Sequence, residues 1–198
     1  MIVVDVETTG VEARLCSLLS VGAVEFENPK NQFYEECYAF PGAHIEKEAL
    51  EISGFTKEQI ADRNKKSDEE ILKVFLEWMK TCQEWTLAGQ NPSFDRSFLE
   101  ETAHRYHINF SIAHRTVDLH SIAYERFLKI GKEIPRKNNH SALNLNAILE
   151  SVGLPTRGKS HNALEDAKLE AEALSRLLFG KGLLPDYRGF PIPTVKLS

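Results

Sequence analysis

The sequence has few cysteines and lacks any apolar run of the ~18 residues that a membrane span needs. Its three cysteines, Cys16, Cys37 and Cys82, are odd in number and widely spaced, which fits neither a disulfide framework nor a zinc site. We therefore expect buried, reduced thiols and a cytoplasmic location. Because an acid stands at position 5, and no basic segment precedes a cleavable apolar one, we expect no secretion signal and no membrane partner.

The chain also lacks an excess of positive charge. Its 24 lysines and arginines against 29 aspartates and glutamates give a net charge of −5. This balance argues against a protein that binds its partner through a broad basic surface, but it is compatible with a nucleic-acid enzyme whose metal ions supply local positive charge. With 198 residues, 42% of them hydrophobic and 27% charged, the chain has the profile of one globular domain.

Apolar periodicity predicts an α/β fold with a mixed five-stranded sheet. The first strand is rich in Val and Ile, at the density typical of a strand buried on both faces. The first three strands follow one another through short turns and form an antiparallel meander. Helices then alternate with the remaining strands, which predicts helices on both faces of the sheet. The predicted strands cover residues 2–7, 18–26, 32–40, 85–90 and 116–119.

Helix signals fill most of the remaining chain. Ser67 and Glu70 have the spacing of a capping box, and residues 131–140 form a basic loop. Residues 1–182 are predicted to form one domain, and residues 183–198, which include three prolines, an extended tail. Helices are predicted over 44–82 with a break at 53–54, after the capping pair Asn91-Pro92, over 121–130 and 142–152, and from the cap at Asn162 onward.

Two carboxylates lie close together at the end of the first strand. Residues two apart point to the same side of a strand, so Asp5 and Glu7 project together. Like charges beside apolar sequence repel each other, and burial disfavours their ionised forms. A divalent cation would compensate for both costs. A solvated strand end with two surface acids is the alternative that this stretch alone leaves open.

Three later residues are placed to converge on this pair. Asp95 lies in the first turn of a helix that directly follows the fourth strand, and Asp166 lies in the first turn of the last helix. His161 precedes that helix, on a loop. If the fourth strand is parallel to the first, the carboxylates meet at one edge of the sheet. Such a cluster could hold two divalent ions ~4 Å apart for phosphoryl transfer, with His161 accepting a proton from water. Oxygen ligands favour Mg²⁺ or Mn²⁺.

Three segments together resemble the exonuclease motifs of the DEDDh (DnaQ-like) 3′–5′ exonucleases. All five signature positions are filled in order, over roughly residues 1–179. The sequence departs from the family at Gln90, where a His is expected, and its residues 52–56 are a loose form of a His-Gly-Ile-Thr-like stretch. The segments are Asp5-Val6-Glu7-Thr8-Thr9-Gly10, Asn91-Pro92-Ser93-Phe94-Asp95 and His161-Asn162-Ala163-Leu164-Glu165-Asp166.

The resemblance implies a ribonuclease H-like fold and a two-metal site. Asp5, Glu7 and Asp166 would hold one Mg²⁺ or Mn²⁺ ion, Asp5 would bridge to a second that Asp95 supports, and His161 would be the general base. The reaction would release nucleoside 5′-monophosphates from single-stranded DNA or RNA. Substrate contacts are implied for Thr8, Thr9, Gly10, Asn91 and Phe94, although Phe94 could equally be part of the helix core.

Other functions use the same pattern differently. A proofreading or trimming subunit would receive its substrate from a larger assembly, and the tail could bind a protein partner. A catalytically silent nucleic-acid-binding module on this fold would be expected to lack one or more carboxylates. A metal phosphatase would share the metal ions but would need no 3′-nucleotide pocket. The basic residues of 129–137, with Arg157 and Lys159, either guide a nucleic-acid backbone or form a solvated loop.

Overall fold

A computed structural model describes residues 1–158 and 161–194, so Lys159 of the predicted basic loop lies outside the described residues. The chain forms a mixed six-stranded sheet in the order β4-β3-β2-β1-β5-β6. As predicted, β1 to β3 are an antiparallel meander, and β5 pairs parallel to β1. The strands are β1 (Ile2–Thr8), β2 (Leu18–Glu25), β3 (Gln32–Tyr38), β4 (Lys66–Ser67), β5 (Leu87–Gly89) and β6 (Thr116–Asp118).

Seven helices surround the sheet in the described part of the chain, and none of them is both long and apolar enough to cross a membrane. Their bounds are α1 (Lys47–Ser53), α2 (Lys57–Ala61), α3 (Asp68–Met79), α4 (Pro92–Arg105), α5 (Leu119–Lys129), α6 (Leu145–Ser151) and α7 (Ala163–Phe179). Alternate residues of β1 belong to two different apolar clusters. Val3 packs with α5, α6 and α7, whereas Ile2 and Val4 pack with α3 and α4. The sheet therefore has helices on both faces, as predicted.

The structure differs from the predicted elements in three places. The sheet has one strand more than predicted, β4, which pairs with Cys37 and Tyr38 at the sheet edge. With only two residues, β4 is too short to show an alternation of apolar and polar residues in the sequence. The region 44–82 contains three helices, since residues 62–67 are not helical. The loop 131–140 contains part of a hairpin, β7 (Arg136–Lys137) with β8 (His140–Ser141). Its turn residues Asn138 and Asn139 both have positive φ, which is typical of a tight hairpin turn.

The predicted helix caps are confirmed at two of three positions. Ser67 and Glu70 form a complete capping box at the start of α3, and the Asn162 side chain accepts hydrogen bonds from the first turn of α7. Asn91 occupies the N-cap position of α4, but its φ of 59° is left-handed and its side chain makes no capping bond. Pro92 begins α4, as predicted, because a helix start needs no N–H at that position.

The described part of the segment predicted as an extended tail lies against α7. Glu172 and Arg176, both buried in α7, form an ion pair of 2.7 Å. Glu172 accepts backbone N–H bonds from Leu183 and Leu184, and Arg176 donates to the carbonyl oxygens of Tyr187 and Phe190. This segment includes a short 3₁₀ helix, Pro185–Tyr187. Arg176 also donates to the carbonyl oxygens of Val152 and Gly153. The buried pair thus links residues 183–190 to α7 and to the end of α6.

Gly22 allows α7 to start directly on the sheet. It is the partner of Asp5 in the β1–β2 ladder. A Cβ atom at Gly22 would lie 2.2 Å from the backbone carbon of Ala163 and 2.2 Å from the backbone nitrogen of Leu164. Since backbone cannot rotate away as a side chain can, only glycine permits this approach. The contact brings the first turn of α7, which contains Asp166, over the end of β1.

We therefore expect Gly22→Ala to destabilise the fold by roughly 2 kcal/mol or more, in the range of overpacked cores, and to displace Asp166. Denaturant unfolding monitored by circular dichroism measures this free energy. Gly189→Ala is the matched control, because a Cβ atom there meets nothing within 4 Å. Equal unfolding midpoints for Gly22→Ala and the parent chain would contradict this role of Gly22.

Candidate active site

The predicted carboxylates converge at the end of β1. Because β5 is parallel to β1, the helix that follows β5 starts at the same sheet edge. This brings Asp95 beside β1, where its Oδ1 accepts the backbone N–H of Val6 at 3.0 Å. Asp5 is half-buried, while Glu7 and Asp95 are only 7% and 4% exposed. The predicted convergence depended on parallel pairing between β1 and β5, and the structure contains this pairing.

The start of α7 supplies the other half of the site. Asp166 is 3% exposed and lies in the first turn of α7. Ligand atoms of Glu7, His161 and Asp166 all lie within 4.8 Å of one another. The backbone N–H of His161 donates to the carbonyl oxygen of Ile52 at 3.1 Å, which ties the loop before α7 to α1. The structure thus gathers all five signature residues at one place.

Burial raises the pKa of all four signature carboxyl groups, and repulsion within the cluster adds to this for Asp5 and Glu7. Burial raises the pKa of Glu7 to about 8, with a further contribution from the charge of Asp166. Burial also raises the pKa of Asp95 to about 7. The pKa values of Asp5 and Asp166 are raised by burial as well. A cation that accepts carboxylate ligands would remove this penalty, which is the electrostatic requirement of a metal site.

Arg157 is the cationic side chain in contact with the cluster. Its Nη1 donates to Asp166 Oδ2 at 3.1 Å and lies 3.4 Å from Nδ1 of His161. Its charge opposes the rise in the pKa of Glu7 and Asp166. Its Nε is buried and has no hydrogen-bond partner among the described residues. Arg157, which we predicted in a basic loop, therefore lies inside the site and retains a free donor.

His161 is neutral at pH 7 in this environment. Burial and the nearby Arg157 guanidinium lower the pKa of its imidazole below the ordinary value of 6.5, and Asp166 only partly opposes them. Nδ1 of the imidazole lies 3.7 Å from Asp166 Oδ2. A neutral imidazole can accept a proton, as a general base requires.

The raised carboxyl pKa values predict how the stability of the metal-free protein depends on pH. An acid with a higher pKa in the folded than in the unfolded state keeps its proton on folding, so stability is lost as pH rises between the two values. For Glu7 that window extends from about 4.5 to about 8. The lowered pKa of His161 makes stability rise with pH. The carboxyl groups outnumber this single histidine, so their effect on stability should dominate.

We accordingly expect the melting temperature in EDTA to fall from pH 5 to pH 8, and Glu7→Gln to reduce this slope. Differential scanning calorimetry at fixed ionic strength measures both. Saturating Mn²⁺ should abolish the decline, because bound cations favour the ionised carboxylates. A melting temperature that rises over this pH range without metal would show that the cluster is not a source of electrostatic strain.

A fifth carboxylate in the cluster was missed by the motif search. Glu170 lies one turn after Asp166 on α7, is 2% exposed, and raises the pKa of Asp5 through its charge. Residues four apart in a helix share a face, so the position of Asp166 was itself a signal for Glu170. Glu170 was not predicted because it belongs to none of the three signature motifs.

The three residues after Glu7 differ in their access to ligands. Thr8 donates its hydroxyl to the carbonyl oxygen of Gly10 at 2.7 Å, and both line a cleft next to Glu7. Thr9 is fully buried. Its hydroxyl donates to the carbonyl oxygen of His44 and accepts the N–H of Ser17, and its own N–H and carbonyl are bonded to Ser17 and Glu46. Thr9 therefore holds the loop after β1 to neighbouring segments and is not accessible to a ligand.

The cleft beside Glu7 has a volume of about 340 Å³. Phe94 lies on one side and Ile52 of α1 on another. Phe94 also packs on Phe98, with ring centroids 5.0 Å apart, so it belongs to both the core and the cleft wall. Asn91 is exposed and does not line this cleft; its backbone N–H donates to Asp118. The cleft places an apolar wall next to the carboxylates.

The other predicted basic residues that the structure describes are exposed. Lys132, Arg136 and Lys137 lie on the surface around the β7–β8 hairpin, whereas Lys129 pairs with Glu125 on α5. Gln90, the departure from the expected His, donates its amide to the carbonyl oxygen of Leu143 at 3.4 Å. Lys132, Arg136 and Lys137 form no hydrogen bond or ion pair with the carboxylate cluster in the described structure. By contrast, the backbone N–H of Gln90 donates to the carboxylate of Glu170.

A family model described as "Exonuclease" (RNase_T) matches residues 2–174. Among curated relatives, DNA polymerase III PolC-type of Thermotoga petrophila is 27% identical over 184 residues, covering 89% of this chain. This chain spans only 12% of the length of that relative. Ribonuclease T of Vibrio campbellii is 28% identical over 166 residues, with 72% of this chain and 78% of the relative covered.

Solved structures with the same fold include two nucleases. The nuclease domain of 3′hExo, a DEDDh family member solved bound to rAMP, superposes with a TM-score of 0.67 at 18% identity, covering 98% of this chain and 96% of that one. E. coli Exonuclease I in complex with a 5cy-dA13 oligonucleotide gives a TM-score of 0.70 at 16% identity, covering 91% of this chain and 40% of that one. The ribonuclease H-like exonuclease fold expected from the motifs is therefore confirmed.

Proposed function

Because this chain belongs to the exonuclease family, of the DEDDh (DnaQ-like) type, we propose that it is a metal-dependent 3′–5′ exonuclease of single-stranded nucleic acid. The reaction hydrolyses the terminal phosphodiester bond and releases a nucleoside 5′-monophosphate. The observation that carries the proposal is the convergence of four carboxylates and a histidine beside a cleft with one apolar wall. Solvated surface acids would not be buried together in this way.

The donor set fits two Mg²⁺ or Mn²⁺ ions. Carboxylate oxygens are the ligands that these hard cations prefer, and the buried, mutually repelling groups lack sufficient protein cations to neutralise them. Asp5, Glu7 and Asp166 would hold one ion, and Asp5 with Asp95 would hold the second. When bound, the ions supply positive charge to the reacting phosphate and promote ionisation of the attacking water.

The protein's own residues position the substrate and move a proton. His161, neutral at pH 7, accepts the proton of the attacking water, while the tie from its backbone to Ile52 restrains the loop. The terminal nucleotide occupies the cleft, where its base stacks on Phe94 and its sugar meets Thr8 and Gly10. Stacking of this kind contributes about 1–3 kcal/mol per base.

Digestion of matched DNA and RNA oligonucleotides tests the proposal. With Mn²⁺ or Mg²⁺, 5′-labelled single strands should shorten progressively from the 3′ end, and EDTA should stop the reaction. The released product should be a nucleoside 5′-monophosphate, and a strand with a 3′-terminal phosphate block should shorten more slowly. If neither DNA nor RNA is shortened with either metal ion, the exonuclease proposal fails.

A proofreading or trimming role within a larger assembly is the second candidate. It is favoured by the match to PolC-type DNA polymerase III, which covers most of this chain and a small part of that relative. A proofreading exonuclease should remove a mismatched primer end faster than a matched one, because the mismatched end frays into a single strand. A silent binding module is disfavoured, since all five signature residues are present in the site.

The expected cellular setting is a reducing cytoplasm. Cys16, Cys37 and Cys82 are all buried, and none of them forms a disulfide in the described structure. The partner is expected to be the 3′ end of a single-stranded nucleic acid, guided by Arg157 and the exposed basic residues near the β7–β8 hairpin. Residues 183–198 stay a candidate site for a protein partner.

A further inference from the structure

Glu170 is buried beside the predicted metal ligands with one carboxylate oxygen unpaired. It is 2% exposed, and its Oε2 has no hydrogen-bond partner among the described residues. The backbone N–H of Gln90 offsets only part of the penalty that burial places on its charge. A buried polar atom without a partner is unfavourable, and more so when the group is charged. A ligand for this oxygen would explain why a glutamate occupies the position.

The backbone of β5 is shaped to admit this carboxylate. A Cβ atom at Gly89 would lie 2.7 Å from Glu170 Oε2 and 3.0 Å from the carbonyl oxygen of Val4. Gly89 also has a φ of +152°, which L side chains rarely adopt. The Glu170 carboxylate therefore lies over the end of β5, next to the strand that carries Asp5.

Glu170 belongs to a different side of the cluster from His161. Of the neighbouring charges that raise the pKa of Asp5, that of Glu170 has the largest effect, and Asp95 has the largest effect on Glu170. By contrast, Glu7, His161 and Asp166 form the compact group whose ligand atoms lie within 4.8 Å of one another. Glu170 lies outside that group. Its carboxylate is at the end of β5, the strand that α4 and Asp95 follow, and next to Val4, the residue before Asp5.

We propose that Glu170 is a ligand of the second divalent ion, which it holds together with Asp5 and Asp95. This inference rests on the proposed two-metal exonuclease function and extends it. Mg²⁺ and Mn²⁺ take about six oxygen ligands, and two carboxylates alone would leave most positions to water and substrate. With a third carboxylate, the second ion binds before the nucleic acid does, so the free enzyme holds both ions.

Metal titration of the full chain without nucleotide tests this assignment. Isothermal titration calorimetry with Mn²⁺, supported by the electron paramagnetic resonance signal of free Mn²⁺, should show two bound ions for the parent chain. Glu170→Gln keeps an oxygen acceptor for the Gln90 N–H but loses the anionic ligand. We expect it to weaken one site by at least roughly tenfold and to leave the other within about twofold.

Two further variants separate ligation from general charge and from folding. Glu165→Gln removes a negative charge from the same helix, at a side chain that is 60% exposed, and should leave both affinities within about threefold. Glu170→Asp keeps the charge but shortens the reach, so it should weaken the same site as Glu170→Gln. In EDTA, Glu170→Gln should melt at or above the temperature of the parent chain, because it removes a buried, repelled charge.

The outcomes distinguish this inference from the function on which it rests. If the parent chain binds two ions and Glu170→Gln binds both equally well, Glu170 is not a ligand, and the exonuclease proposal stands. If the parent chain binds one ion without nucleotide and Glu170→Gln does the same, the assignment is likewise overturned. If the parent chain binds no divalent ion, the two-metal proposal fails and the assignment of Glu170 fails with it.

Discussion

Asp5→Asn is expected to lower the rate of 3′-end hydrolysis by at least about 10³-fold, equivalent to roughly 4 kcal/mol of transition-state stabilisation. The charges of four neighbouring carboxylates, those of Glu170, Asp95, Glu7 and Asp166, all act on Asp5 and raise its pKa. As the proposed shared ligand of both ions, Asp5 is expected to affect both of them when it is lost. Glu7→Gln should affect mainly the ion held with Asp166, and its effect on Mn²⁺ stoichiometry should be limited to one site.

The same substitution should have the opposite effect on the stability of the metal-free protein. Asp5→Asn removes a half-buried carboxyl group whose charge is disfavoured by desolvation and by four neighbouring charges. The melting temperature of this variant in EDTA at pH 8 should therefore rise above that of the parent chain. A loss of activity with a gain of stability identifies a functional residue maintained at the expense of the fold. Loss of activity together with a lower melting temperature in EDTA would point instead to a structural role for Asp5.

His161→Ala is expected to reduce turnover by roughly 10²–10⁴-fold, the usual contribution of a general base, with the Mn²⁺ affinities retained within about threefold. The imidazole is neutral because burial and Arg157 lower its pKa. The parent enzyme should therefore lose activity as pH falls through the imidazole pKa, and the residual activity of His161→Ala should lack that dependence. Rates measured in single-turnover assays from pH 5 to 9 provide the comparison.

Two results would remove His161 from the chemical step. One is an unchanged rate for His161→Ala at saturating metal ion. The other is an identical pH profile for the variant and the parent chain. His161→Gln serves as a matched variant, because it retains a polar side chain and the backbone bond to Ile52; it should be as impaired as His161→Ala.

The signature residues could be predicted largely from local sequence, with one assumption about strand pairing. Asp5 and Glu7 share a side of a strand by simple alternation, and Asp166 follows a helix start that Asn162 caps. Asp95 required one tertiary assumption, the parallel pairing of β5 with β1, which the structure confirms. Local periodicity and capping therefore predicted both the sheet edge and the residues that gather there.

The features that were missed depend on contacts between distant segments. The two-residue strand β4 exists only through its pairing with β3. The docking of residues 183–190 depends on the buried pair of Glu172 and Arg176, which in sequence looks like an ordinary i,i+4 helix pair. Glu170 belongs to no motif, and its burial becomes visible only once α7 lies on Gly22 and Gly89 admits the carboxylate.

The position of Arg157 in the site could not be predicted from the charge composition of its loop. In sequence it is one cation of a basic loop, equivalent to Lys159. In the structure its guanidinium contacts Asp166 and approaches His161, and it lowers the cost of burying Glu7. Its Nε is buried and has no hydrogen-bond partner among the described residues.

Anomalous X-ray scattering from crystals grown with Mn²⁺ and a nucleoside 5′-monophosphate tests the central claim most directly. We predict two Mn²⁺ peaks roughly 4 Å apart, one bound by Glu7 and Asp166, one by Asp95, and both by Asp5. The phosphate of the nucleotide should lie between the ions, with the base against Phe94. Absence of Mn²⁺ from this cluster, with Arg157 still bonded to Asp166, would contradict the two-metal exonuclease site.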